Sequence, residues 1–193
     1  MKKIISLMLV VALLFSVFSF NQVGVVAKTK KPTKVEKLFK GNKLPKSAKE
    51  MNKYLKTVKV KYYTYYSTKK GKLKSKVISQ KIKVHKKLAS KIKNVFSTLY
   101  KYKFPIAKNG VYCFCWRNKL GSKVKSMHSY GVAIDVLVQN STYLKISKTN
   151  KKYKVGNGVR INPLSIAFEK AGYVYIRQTF CSPNNVFVCY EYK

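Results

Sequence analysis

The chain of 193 residues carries 42 Lys and Arg against 5 Asp and Glu, which gives a formal net charge of +37. This length supports one domain with a core of its own rather than several independent domains. Such a charge attracts polyanions in a salt-dependent way and names no particular ligand. The alternative to polyanion binding is that the lysines form a solvated surface and bind no particular partner.

The first 27 residues have the organisation of a secretory signal. Lys2 and Lys3 precede an apolar block from Ile4 to Phe20, and Val25-Val26-Ala27 provides a small-residue cleavage site. Removal of residues 1–27 would leave roughly 165 residues. Because the apolar block is long, an uncleaved membrane anchor is the alternative. Export favours cell-wall polymers, lipid headgroups or polysaccharides as polyanions and makes nucleic acid an unexpected partner.

Residues 28–56 are Lys-rich, contain Pro32 and Pro45 and show little apolar periodicity. This composition predicts a basic linker. The folded domain is therefore expected at 57–193.

Residues 57–102 predict a hairpin followed by a helix. Apolar and polar residues alternate over 57–66, and a second strand is expected from about Leu73 to Ile82 after a Lys- and Gly-containing turn. Apolar residues at helical spacing then predict an amphipathic helix over 85–102. We interpret His85, at its start, as a cap or surface residue rather than a metal ligand.

The second half of the domain predicts further strands and one helix. The period of two in a strand over 111–117 would place Cys113, Cys115 and Arg117 on one side. Strands are also expected at 132–138, 173–176 and 186–192, with a helix at 163–171. The fold class is thus α+β: a small antiparallel sheet covered by two helices, with a metal site at one edge of the sheet.

The most informative stretch is Ser126 to Asp135, in which His128 lies seven residues before the only Asp of the chain. A carboxylate within an apolar strand is costly unless it is paired or bound to a metal. His128 and Asp135 are therefore a candidate metal-binding pair. The alternative is an Asp that pairs with one of the many lysines.

These residues resemble the zinc D-alanyl-D-alanine carboxypeptidase family of bacterial cell-wall peptidases. Ser126, His128, Gly131, Ala133 and Asp135 match every fixed position of its motif, S-x-H-x-x-G-x-A-x-D. The resemblance covers 57–193 and implies the core fold that these peptidases share with Hedgehog proteins. Further landmarks in the family's order are Phe104-Pro105-Ile106, Cys115-Trp116-Arg117, Gly121-Ser122, Asn140 with Tyr143, Ile161-Asn162-Pro163 and Phe168 to Gly172.

The resemblance implies zinc bound by His128 and Asp135, with Cys189 in the position of the family's third ligand, a His. Thiolate binds zinc well. Val186 occupies the position of the family's general base, and Glu191 is the carboxylate nearest in sequence. This departure predicts slow catalysis, because a positioned base contributes about 10²- to 10⁴-fold.

Two further residues gain roles from the resemblance. Arg117 would bind substrate and stabilise the oxyanion, although it could instead stack on Trp116 or pair with Asp135. Ser126 would contact substrate or orient a ligand, and a turn-capping hydroxyl is an equally good interpretation.

The four cysteines leave two arrangements open. An even number in an exported chain suggests two disulfides, pairing Cys113 and Cys115 with Cys181 and Cys189. Alternatively, Cys189 is a thiolate ligand of the metal.

The expected function is a secreted zinc metallopeptidase that trims peptidoglycan stem peptides, most simply by removing a terminal D-Ala. A degenerate peptidase that binds peptidoglycan or anionic wall polymers without cleaving them is the alternative. A polyanion binder for nucleic acid ranks last, because the chain lacks a recognition motif.

Overall fold

The computed structural model describes residues 31–140, 142, 145, 163–182 and 185–193, and for 177–182 only the backbone. Over these residues the fold is α+β, with two antiparallel sheets, one of two strands and one of four. The predicted signal, the landmarks Tyr143, Ile161 and Asn162, and the side chain of Cys181 lie outside these residues.

The described strands are β1 (Leu55–Ser67), β2 (Leu73–His85), β3 (Ile106–Tyr112), β4 (Ala133–Gln139), β5 (Tyr173–Ser182) and β6 (Asn185–Tyr192). The two-stranded sheet pairs β1 with β2, and the four-stranded sheet has the order β3-β4-β6-β5. The described α-helices are α1 (Ala48–Asn52), α2 (Ala89–Lys101) and α3 (Leu164–Lys170). Short 3-10 turns occupy Glu36–Leu38, Lys40–Asn42, Lys86–Leu88 and Met127–Tyr130. Within the described residues, no helix is long and apolar enough to cross a membrane.

The hairpin of β1 and β2 packs one face against α2. Val58, Val60 and Tyr62 alternate along β1 and are buried, while the lysines between them are exposed. On α2, the buried residues recur every three or four positions, and the ring of Phe96 meets that of Tyr62 at 6.4 Å. The predicted hairpin and amphipathic helix are confirmed.

Strands β4 and β6 form the centre of the four-stranded sheet. Ile134, Val136 and Val138 on β4, with Val186 and Val188 on β6, are fully or almost fully buried. Because side chains alternate between the two faces of a strand, the residues between them lie on the other face. That second face carries Asp135 and Cys189, which are direct partners in the register.

The prediction of a linker is wrong over residues 35–54. Val35, Leu38, Phe39 and Met51 are buried in the core, and the ring of Phe39 lies 4.9 Å from those of Tyr54 and His85. The apolar residues are few and sit in single helical turns, so no periodicity distinguishes them from a solvated, Lys-rich segment. The folded unit extends back to Pro32.

Three other expectations also need correction. The hairpin and the remaining strands form two sheets rather than one. The strand expected at 111–117 ends at Tyr112, and beyond it Cys113 is buried while Cys115 and Arg117 are exposed, so they do not share a face. His85 caps a helical turn, as expected, but it is fully buried rather than at the surface.

Candidate metal centre

A 3-10 turn at Met127–Tyr130 delivers His128 to the site. The hydroxyl of Ser126 accepts a hydrogen bond from the His128 N–H at 3.4 Å, so the capping interpretation describes Ser126 in this structure. Gly131 ends the turn at φ +62°, and a Cβ there would lie 2.9 Å from the backbone nitrogen of His85. The conformation and the close approach together require glycine.

The ring of His128 is held in the orientation of a metal ligand. Its Nδ1 contacts the carbonyl oxygen of Cys113 at 2.5 Å. A carbonyl only accepts hydrogen bonds, so Nδ1 carries the proton. In this arrangement one ring nitrogen donates to a backbone carbonyl, and Nε2 is the nitrogen that could bind a metal ion.

Asp135 lies beside that second nitrogen, with 3.2 Å between its Oδ2 and His128 Nε2. Two electron-rich atoms at this separation require a proton or a metal cation between them. Two ligands about 2.05 Å from a tetrahedral ion are about 3.3 Å apart. The observed spacing therefore suits a shared metal ion.

Cys189 completes the cluster. The Asp135–Cys189 pairing across β4 and β6 puts both side chains on one face of the sheet. The ligand atoms of His128, Asp135 and Cys189 all lie within 4.8 Å of one another, and each residue is 5–7 % exposed. This cluster could hold a metal ion. It lies over the two central strands of the sheet rather than at the expected edge.

The cluster opens into a cleft of about 450 Å³, which is lined by β2, by the segment that follows β3, and by His128 and Asp135. Arg117 also lines the cleft and is exposed, and its guanidinium donates to the carbonyl of Asn118 at 3.4 Å. Trp116 has Lys125 over its ring, with the ammonium 4.9 Å from the ring centre. Arg117 is thus placed to meet a ligand of the cleft.

Cys113 and Cys115 border the same cleft, and neither forms a disulfide, nor does Cys189. Burial, and secondarily the charge of Asp135, raises the pKa of the Cys113 thiol. A buried thiol with a raised pKa is a poor nucleophile. Within the residues that the structure describes, the disulfides expected of Cys113, Cys115 and Cys189 are absent.

The position compared with the family's general base does not face the site. Val186 is fully buried and pairs with Val138, on the face of β6 opposite to Cys189. Glu191 shares the face of Cys189 and pairs with Ala133, two residues from Asp135 along β4. At about 3.3 Å per residue, Glu191 lies roughly one side-chain length from the cluster.

Two supporting residues escape the sequence patterns. The buried hydroxyl of Ser129 donates to the Arg117 carbonyl at 2.7 Å and accepts from the Arg117 N–H at 2.9 Å. Gln80 accepts from the Tyr62 hydroxyl and donates to the Val111 carbonyl, each at 2.7 Å. Ser129 ties the His128 turn to the cleft wall, and Gln80 ties the hairpin to the sheet. Both contacts join segments distant in sequence, so no local signal marks them.

Comparison with known proteins finds no match to a family model, to a curated protein or to a solved structure.

Proposed function

We propose that this chain is a secreted zinc metallopeptidase that acts on peptidoglycan stem peptides in the manner of a D-alanyl-D-alanine carboxypeptidase. The observation that carries the proposal is the cluster of His128, Asp135 and Cys189 beside an open, cationic cleft. The resemblance of Ser126–Asp135 to the motif of that family supplies the reaction and the substrate class.

The donor set favours zinc among common metals. One imidazole, one carboxylate and one thiolate are ligands that zinc accepts, whereas a thiolate disfavours magnesium and calcium. Three protein ligands leave a fourth tetrahedral position for water or substrate, which is typical of catalytic sites. Bound there, the metal would polarise a scissile carbonyl and lower the pKa of water.

The protein's own groups then position the substrate. The Cys113 carbonyl orients the ring of His128. Arg117 lines the cleft and would stabilise the oxyanion that forms there. Glu191 is the candidate proton acceptor because it shares the sheet face of Cys189. Removal of a positioned base costs about 10²- to 10⁴-fold, so turnover should be slow if Glu191 does not reach the site.

A non-catalytic module that binds peptidoglycan or anionic wall polymers is the second candidate. It is favoured by the burial of Val186 in the core and by the exposed lysines of the hairpin. In this case the cleft holds a stem peptide, and the lysines bind wall polymers.

Release of D-Ala from a stem pentapeptide that ends in D-Ala-D-Ala separates the two candidates. The peptidase predicts release by the zinc-loaded protein, abolished by chelation and by His128→Ala. Leu120→Ala is the control, since this exposed side chain lies outside both the cluster and the cleft. Binding of the peptide without any release would instead support the non-catalytic module.

A further inference from the structure

The outer edge of β2 borders the cleft that His128 and Asp135 line. Residues Gln80 to Lys83 line the cleft together with His128 and Asp135. Among the described residues, β2 pairs with β1 and with no other strand, so one long side of β2 is not part of a ladder there. An open strand edge offers backbone N–H and C=O groups to an added strand.

The hydrogen bonds at the end of the hairpin identify which groups face outward. The Lys86 N–H donates to the Tyr54 carbonyl, which continues the pairing of Leu55 with His85. In an antiparallel ladder, alternate residues bond the partner strand. The backbone N–H and C=O groups of even-numbered residues of β2 therefore bond β1, and those of odd-numbered residues point away from it. The bond from the His85 N–H to the Gly131 carbonyl, at 2.9 Å, is an example of an outward group.

The outward groups in the cleft consequently belong to Lys81 and Lys83. No backbone hydrogen bond from another described segment reaches either residue. The open edge is bounded on one side by the bond of His85 to Gly131 and on the other by the bond of Gln80 to Val111. From residue 80 to residue 85 a strand spans about 17 Å, which accommodates a peptide of only a few residues.

The charge of the cleft points to an acidic occupant. Lys81, Lys83 and Arg117 line it, and among the described lining residues the one acid is Asp135, which belongs to the metal cluster. A carboxylate-bearing peptide would complement the three cations.

We propose that the edge of β2 at Lys81 and Lys83 pairs with the backbone of a short, extended, carboxylate-bearing peptide and aligns it across the metal cluster. This inference rests on the proposed function, since the peptide is the substrate. Because recognition is through backbone groups, it depends little on the side chains of the peptide. The side chains of Lys81 and Lys83 add affinity for its carboxylates.

Proline substitutions test the pairing, because proline removes one N–H and is tolerated at an outward position of an edge strand. Lys81→Pro removes an outward N–H in the cleft. Lys81→Gln controls for the lost charge, and Ser75→Pro removes an outward N–H on the same strand, beyond the cleft. Circular dichroism and thermal unfolding establish that each full-length variant is folded, and Lys83→Pro replaces Lys81→Pro if the latter is not.

The probe is a stem tetrapeptide ending in a single D-Ala, titrated calorimetrically into the zinc-loaded full-length protein. We expect Lys81→Pro to weaken binding about tenfold relative to Lys81→Gln, and Ser75→Pro to bind as the unmodified protein does. N-methylation of the peptide amides should weaken binding similarly. Equal affinities for Lys81→Pro and Lys81→Gln, or no binding by the unmodified protein, would overturn the inference.

The same variants separate this inference from the proposed function. Cleavage of the pentapeptide with unchanged KM in Lys81→Pro would reject edge pairing and keep the peptidase. Binding that depends on the edge, without any cleavage, would keep edge pairing and reject the peptidase.

Discussion

Single residues determine whether the turn can place His128 beside Asp135. The turn that carries it ends at Gly131, whose positive φ and contact with the backbone of His85 exclude any side chain. Gly121 has a similar φ of +68°, but nothing lies within 4 Å of a Cβ built there. Substitutions at the two glycines therefore separate the cost of the backbone conformation from the cost of steric overlap.

Gly131→Ala should therefore destabilise the protein more than Gly121→Ala. The left-handed conformation costs an alanine about 1–2 kcal/mol at either position. At position 131, displacement of the neighbouring backbone adds to this, for a total of about 3 kcal/mol or more. Urea unfolding of the metal-free variants measures the difference. Equal losses of stability would show that the turn does not press against His85 in solution.

Among the secondary-structure elements, His85 joins the end of β2, the 3-10 turn at Met127–Tyr130 and the start of α2. Its N–H bonds the carbonyl of Gly131, and its Nδ1 accepts from the Lys87 N–H. Its ring is fully buried against Phe39 and Tyr54. Burial, followed by the charges of Lys87 and Lys86, lowers the pKa of His85 to about 4.

This lowered pKa predicts acid sensitivity. In the unfolded chain His85 titrates near its usual pKa of about 6.5, so as the pH falls from 6.5 to 4 the unfolded state takes up the proton first. Stability should fall over this window by up to about 3 kcal/mol. His85→Gln should be less stable at pH 7 but should lose less stability between pH 6.5 and 4. Urea unfolding of metal-free protein measures both, and parallel losses in the two proteins would exclude His85 as the cause.

How much of the fold and of the candidate site the sequence predicts depends on how many residues each pattern spans. The hairpin and α2 follow from periodicities that extend over ten or more residues. His128 and Asp135 are close in sequence, and their pairing was foreseeable. Cys189 is a candidate third ligand only through the resemblance to the peptidase family. Its position opposite Asp135 depends on the pairing of β4 with β6, which no local pattern encodes. The core residues of 35–54 were missed because sparse apolar residues in single turns have no period.

The net charge of +37 on the whole chain opposes folding. Residues 55–85 contain no Asp or Glu, and Lys59 lies directly opposite Lys81 across the hairpin. Like charges in that position are destabilising. A bound polyanion, or dissolved salt, would relieve the repulsion.

Stability should consequently rise with ionic strength. Between about 0.02 and 0.5 M sodium chloride we expect a gain of about 1 kcal/mol or more in the free energy of unfolding. Lys59→Gln should stabilise the protein at low salt by about 0.2–1 kcal/mol. Lys76→Gln, opposite Thr64, is the control and should change stability less. A free energy of unfolding that is independent of salt would contradict this account.

Whether His128, Asp135 and Cys189 form a zinc site is decided by the zinc content of the full-length protein, purified without chelator and compared with Cys189→Ser and Cys115→Ser. We predict about one zinc per chain in the unmodified protein and in Cys115→Ser, and a large loss of zinc in Cys189→Ser, because two protein ligands hold the ion weakly. Absence of zinc from the unmodified protein after reduction and supply of metal, or full zinc content in Cys189→Ser, would contradict the assignment of His128, Asp135 and Cys189 as a zinc site.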